Sequence, residues 1–316
     1  MTKTIERIEQ EIGIPGLVEL LANRLAPTDL QSLLLEVYRQ QAQRRQPAAV
    51  LSDYETNRFV RPSTISPISL LEWEQTGFAQ LPADFQAIAL SPVAPLGTCS
   101  AVALVDQNKV LSTIRNTEVL SDSTNVLALE AASRRRQILA KNPKSTEAIH
   151  LAASHRLLRT QYFEGPNLFS HFSAFTLCSA GRDQGNFQFE LSALALHIGF
   201  YLRALQVYLG SKVSLRVELT DLLAKSSQAP LSTHLLPLLQ AEFAGVECAL
   251  DDERTSGRDY YAALCFHIYA TTSAGQVFEL ADGGAVNWTQ RLLSNAKERC
   301  VISGIGSERV CTAFAG

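Results

Sequence analysis

The closing stretch Val301–Gly316, VISGIGSERVCTAFAG, decides how this chain reads. Gly304, Gly306 and Ser307 break an apolar run, and Arg309 follows them. One reading is a frayed last strand, or a packed turn made possible by two glycines. The other is a strand that hands over to a helix and presents Arg309 to a phosphate. Glycine lets backbone and ligand approach closely, and a guanidinium offers several fixed donors to phosphate oxygens. The surrounding segments choose between them.

Working outward, "NWTQRLL" reads as a helix, preceded by strand-like "GQVFELADGG" and "YYAALCFHIYATT". Upstream, "KVSLRVEL" alternates Val213, Leu215, Val217 and Leu219 with Ser214, Arg216 and Glu218, as a half-buried strand does. "LTDLLAKSS" and "LSTHLLPLLQAEFAG" after it read as helices. "FQFELSALALHIGFYLRALQVYLG" is a long helix ended by Gly210, and "HFSAFTLCSAG" a strand. "STNVLALEAASRRRQILAKN" is a helix capped between Ser121 and Ser123. "VLSTIRNTEVLS" reads as one or two strands and "FQAIALSPV" as another. Ser66 followed by Pro67 starts the helix "ISLLEWEQTGF". Before it, residues 1 to about 45 carry helical periodicity, with Leu30, Leu33, Leu34 and Val37 on one stripe. "QPAAVLSDYETNRFVRPSTISP" reads as an irregular connection. The expectation is an α+β fold, an antiparallel sheet flanked by helices. Residues 1–65 form a helical N-terminal extension and linker, and 66–316 the main domain.

The bulk numbers exclude several classes. A formal net charge of −3 lacks the basic excess of a general nucleic-acid binder. No apolar run of about 18 residues is present to span a membrane, and the charged start "MTKTIERIEQEIG" is no signal peptide. The six cysteines are dispersed, without a CxxC pair, and read as buried free thiols of a reducing compartment, the cytoplasm. Neither they nor the six histidines have metal-ligand spacing, so no structural metal is expected. Arg134, Arg135 and Arg136 form the densest basic run, read here as a solvated helix face. His155 and His171 read as partly buried, hydrogen-bonded side chains.

A set of fragments then falls in one order. "LLEWEQTGF…FQAIALSPVAPLG" is a helix and a strand reaching Pro92; "VLSDST" supplies Leu120, Asp122 and Thr124. "LLRTQYFEGPNLFSHFSAFTLCSAGRD" runs from Leu158-Arg159-Thr160-Gln161 through a loop to His171-Phe172. "SGRDYYAALCF" contains Gly257, Asp259, Tyr260 and Tyr261; "GGAVN" follows, and "GIGSER" closes with Gly304, Gly306 and Arg309. From about Ser66 onward this order resembles the catalytic domain of class II aminoacyl-tRNA synthetases. The closest likeness is to the histidyl branch and its non-charging paralogues, such as the regulatory subunit of ATP phosphoribosyltransferase.

The resemblance implies a nucleotide corner of Arg159, Gln161, Gly304, Gly306 and Arg309, with ATP and magnesium as cofactors. It implies a small-ligand pocket of Asp122, Thr124, Asp259, Tyr260 and Tyr261, although those aromatics equally suit a strand start packed into the sheet. Glu190 and Glu279 are the carboxylates considered for magnesium. Departures matter as much. Ser121, Gln161, Ser256 and Ala285 stand where the family has Arg, Glu, Arg and Arg. The family's amino-acid-facing Gln and Glu fall on Ala174 and Cys178, which offer little to an ammonium group. The chain reaches Gly316 without the anticodon-binding domain that follows in histidyl synthetases. The implied function is a synthetase-like protein that does not charge tRNA. It would be a homodimer through the Pro92 region, acting as a regulatory or partner subunit with a protein partner. The alternative is an ATP-dependent ligase with a different acid substrate. A third reading makes the core only a platform for the helical extension.

Overall fold

The computed structural model describes residues 2–161, 170–210, 213–223, 230–258 and 260–314. Its strands are β1 (Phe85–Ala87), β2 (Val93–Pro95), β3 (Thr117–Val119), β4 (Ile149–Leu158) and β5 (His171–Arg182). They continue as β6 (Ser214–Asp221), β7 (Glu247–Leu250), β8 (Leu264–Thr271), β9 (Val277–Val286) and β10 (Glu298–Gly306). Eight of them form one sheet in the order β1-β4-β5-β10-β9-β8-β6-β7, and β2 pairs with β3 apart from it. The pairings from β4 across to β6 are antiparallel, as expected. Each edge strand instead joins in parallel, β1 on β4 and β7 on β6. Both reach their partner through a helical crossover, the connection a parallel pair requires.

The extension contains α1 (Thr2–Ile12), α2 (Leu17–Glu19), α3 (Pro27–Gln43) and α4 (Pro47–Thr56). Here α4 takes the first half of the expected irregular connection, and 57–66 remain irregular. Pro47 sits at the helix start, where its missing N–H costs nothing. None of the described side chains in these four helices is buried, and Ile8, Ile12, Val18, Val37 and Tyr38 are among the exposed apolar ones.

In the main domain, α5 (Pro67–Ala79) starts at Ser66, whose hydroxyl accepts from the Ser69 N–H at 3.3 Å. Short α6 (Thr98–Val102) precedes α7 (Ser123–Lys141), which packs on one face of the sheet. The opposite face is covered by α8 (Gln188–Leu209), with Leu194, Ile198, Tyr201 and Leu205 buried and Gly210 at φ 68° ending it. The remaining helices are α9 (Leu236–Glu242), α10 (Trp288–Leu293) and α11 (Ser307–Ala313). β7 was not anticipated, being four residues on an edge. The expected helix "LTDLLAKSS" does not form over Leu219–Asp221, which complete β6, and 224–229 lie outside the described residues.

The arginine run is a solvated face only in part, since Arg136 is exposed but Arg135 is not. Arg135 is fully buried against Glu298, with Nε to Oε2 and Nη2 to Oε1 both 2.8 Å, while Arg134 pairs with Glu130 at 2.7 Å. No helix among the described residues is long and apolar enough to cross a membrane.

Candidate functional site

Across the middle of the sheet, the register sets Thr176, Gly304, Asp282 and His267 side by side on β5, β10, β9 and β8. They lie in a cavity of about 1100 Å³ between the sheet, the start of α7 and α11. Gly306 ends β10 and Ser307 begins α11, so the closing stretch is a strand handing over to a helix. Gly304 and Gly306 are not at positive φ. A Cβ on Gly304 would find only the Thr176 Cγ2 within 4 Å, at 3.3 Å, so this glycine keeps the cavity floor low rather than making a turn. Arg309 is exposed and lines the cavity, its Nη1 donating to the Glu279 carbonyl at 2.7 Å.

On the other side, Arg159 follows the end of β4. Its Nε donates to the Ser121 carbonyl at 3.0 Å, its Nη2 lies 3.9 Å from Asp122, and it stacks 5.0 Å from the Phe172 ring. Asp122 caps α7, accepting from the Thr124 N–H at 2.9 Å and its hydroxyl at 2.7 Å. The other carboxylate oxygen accepts from Tyr260 at 3.3 Å. The Tyr261 hydroxyl donates to Asp282 at 2.9 Å. Burial pushes both phenols well above their ordinary range, so they act as neutral donors. Gln161 lines the cavity, whereas Asp259 lies outside the described residues.

Sequence reasoning missed the residue best placed for a ligand. Arg254 lines the cavity at 6% exposure, its Nε donating to the Ser256 carbonyl at 3.1 Å and its Nη2 3.6 Å from Asp282. Its Nη1 is buried without a partner among the described residues, as is Oδ1 of the cavity residue Asn125. Asp282 opens to the cavity but sits deep within it, and burial raises its carboxyl to about 6 against the opposing pull of Tyr261 and Arg254. His267, 3.9 Å from Asp282, is held below its ordinary pKa by burial and by Arg254. A signal existed. Arg254 stands two residues before Ser256, where the resemblance placed a lost arginine, and Asp282 follows Glu279 in an otherwise apolar strand.

No protein-family model and no curated protein sequence matches the chain. Solved structures do. Apo histidyl-tRNA synthetase of S. aureus superposes with a TM-score of 0.58 at 15% identity, over 80% of this chain and 68% of that one. A Bacillus halodurans C protein described as an ATP phosphoribosyltransferase regulatory subunit/histidyl-tRNA synthetase gives 0.59 at 12% identity, over 82% and 83%. The RNA binding domain of threonyl-tRNA synthetase from Cryptosporidium parvum Iowa II gives 0.55 at 11%, over 77% and 62%. The chain has the class II synthetase fold.

Within this synthetase fold, Ala174 lines the cavity but Cys178 does not. It is fully buried on the α7 side, 3.8 Å from the Cys300 sulfur. Glu190 is also far from the site. It lies beside Arg299 at 3.1 Å, and burial raises its pKa, so of the two carboxylates considered for magnesium only Glu279 faces the cavity. His155 and His171 stand outside it as well. The Nε2 of His171 bonds the Arg61 carbonyl at 2.6 Å, and burial lowers the pKa of His155. All six cysteines are buried free thiols.

Proposed function

We propose that this chain is a synthetase-like regulatory or partner subunit that holds a small ligand or nucleotide in the cavity and does not charge tRNA. The observation that carries ligand binding is Arg254, a buried cavity-lining guanidinium whose Nη1 has no hydrogen-bond partner among the described residues. Such a group costs on the order of 1–3 kcal/mol or more if left unpaired, and an anionic ligand oxygen would relieve it. Against amino-acid activation stand Ala174 and Ser256 at positions where the synthetases use polar and cationic side chains. The other guanidiniums are already engaged, Arg159 by Ser121 and Asp122, Arg309 by Glu279.

The cavity volume accommodates a nucleotide, with Arg159 and Arg309 as phosphate partners. Magnesium would be shared between phosphates and one or two carboxylates, and Glu279 is the carboxylate in position. Four helices with no buried side chain suit a protein partner, in keeping with the regulatory-subunit wording of the Bacillus protein. A homodimer through the Pro92 region, with residues 1–65 and 66–316 as the two units, completes this reading. A reducing, cytoplasmic setting suits the free cysteines.

Arg254 also favours a second reading, an ATP-dependent ligase acting on a different acid, because it restores a third guanidinium to the cavity. Thermal stability with Mg-ATP and a panel of free amino acids tests binding. A ligand at 100 times its Kd adds about 2.7 kcal/mol to the native state. Pyrophosphate exchange with the same panel separates the two readings. The regulatory reading expects none, and substrate-dependent exchange would establish the ligase in its place.

A further inference from the structure

Residues 58–65 leave the helical extension and run along the cavity mouth, from the β4–β5 hairpin to α11. Arg58 begins this path. Its Nη1 donates to the Gln161 carbonyl at 3.0 Å and to the Ser170 hydroxyl at 2.9 Å, and its Nη2 donates to the Thr160 carbonyl. One side chain therefore ties together both ends of the β4–β5 connection, about 100 residues away in sequence. Between those ends the Arg159 N–H donates to the Ser170 carbonyl at 2.7 Å. The Arg61 carbonyl bonds His171 at 2.6 Å. Ser63 donates to Glu308 at 3.2 Å, in the turn of α11 that carries Arg309. Ser63, Thr64 and Ile65 then line the cavity itself.

We propose that residues 58–65 form a strap that sets the cavity's affinity for its ligand, with Arg58 as the positioning residue acting through Arg159. The physical basis is the planar guanidinium fork, which holds several acceptors in fixed relation as a flexible ammonium cannot. Remove it, and among the described residues the two ends keep the Arg159–Ser170 backbone bond and the Arg159–Phe172 stacking but lose the fork that joins Thr160, Gln161 and Ser170. Arg159, one residue from Thr160, then loses the fixed mouth that aims it at the cavity. Because the strap belongs to the same segment as α1–α4, whatever engages those helices and shifts it changes ligand affinity. By linkage, ligand in the cavity changes that engagement by the same factor. This deepens the ligand-binding reading and rests on it.

The test uses the full-length protein as wild type, Arg58→Ala, Arg58→Lys and Arg309→Ala, with two readouts. Hydrogen exchange follows the amides of 157–161 and 170–173, with α8 as an internal reference, and calorimetry follows Mg-ATP binding. Arg58→Ala is expected to speed exchange at the hairpin mouth while leaving α8 unchanged. It should also weaken Mg-ATP about tenfold, the scale of one charge-assisted hydrogen bond. Arg58→Lys, which keeps the charge and the stem, should fall between and covers the case of a poorly folding alanine variant. Unchanged exchange at the mouth overturns the strap, and so does faster exchange with undiminished binding. If the wild type itself does not bind Mg-ATP, the nucleotide reading fails. The exchange arm then still decides for or against the strap.

Discussion

The two faces of β10 are built to different ends. Toward α8, Val301, Ser303 and Ile305 meet a closed layer. His197 is fully buried there between the hydroxyls of Ser179 at 2.8 Å and Ser303 at 2.7 Å, and burial drives its pKa down to about 3. On the other face the strand begins equally closed, with Glu298 locked to Arg135 and with Cys300 and Ile302 under α7. It then opens at Gly304 onto the cavity, where Arg254 keeps an unpaired donor. Buried polar groups are nearly always paired in a folded chain. Unpaired buried atoms also occur away from the cavity, at Glu190, Thr220 and Thr289, so what sets the open end apart is an unpaired guanidinium donor on a residue that lines a cavity.

The comparison can be broken most sharply at its closed parts. Arg135→Ala leaves the Glu298 carboxylate buried without a cation, and urea denaturation should show a loss of about 3–5 kcal/mol. A loss below about 1 kcal/mol would mean that water reaches this pair. Gly283→Ala comes next. Its Cβ would stand 2.4 Å from the Ser303 Cβ and 2.7 Å from the Ile302 carbonyl, so overpacking should cost about 1–3 kcal/mol in the same assay.

His197→Gln should lose about 1 kcal/mol near pH 7, the scale of one hydrogen bond. Its pH profile carries the sharper information. The native imidazole stays neutral while the unfolded one takes a proton below its ordinary value of 6.5, so wild-type stability should fall as pH drops from 6.5 toward 3. The glutamine variant lacks that titration, and its deficit should shrink on acidification. A constant deficit would show that the histidine is hydrated. The smallest stability effect belongs to Gly304→Ala, within about 0.5 kcal/mol, since only the Thr176 methyl, 3.3 Å from the new Cβ, has to give. Its thermal shift with Mg-ATP should nevertheless be lost, and a retained shift would place the ligand elsewhere.

Much of the scaffold was legible in the residues. The alternation of Leu215, Val217 and Leu219, the Ser66-Pro67 start and the Gly210 stop are local signals, and the elements stand where those signals put them. The strand-to-helix passage through Gly304 and Gly306 to Arg309 was legible too, although the reason for Gly304 is an open floor rather than a turn. Less was legible where the period is short or the environment reverses the residue's usual habit. β7 offers four residues, too few for a period to show. Arg135 has a charge that normally means solvent, and only Glu298, more than 160 residues on, makes its burial tolerable.

Most of the elements and their order, the antiparallel centre of the sheet and the synthetase-like course of the chain could be read from the residues alone; α4 and β7 could not. Periodicity, caps and turns act over a few residues and are written into them. Register and packing, by contrast, brought Arg254 to the cavity wall beside Ser256, set Asp282 in the floor and tied the hairpin mouth through Arg58. Those meetings depend on strand register and on crossovers between distant segments, which no local pattern encodes.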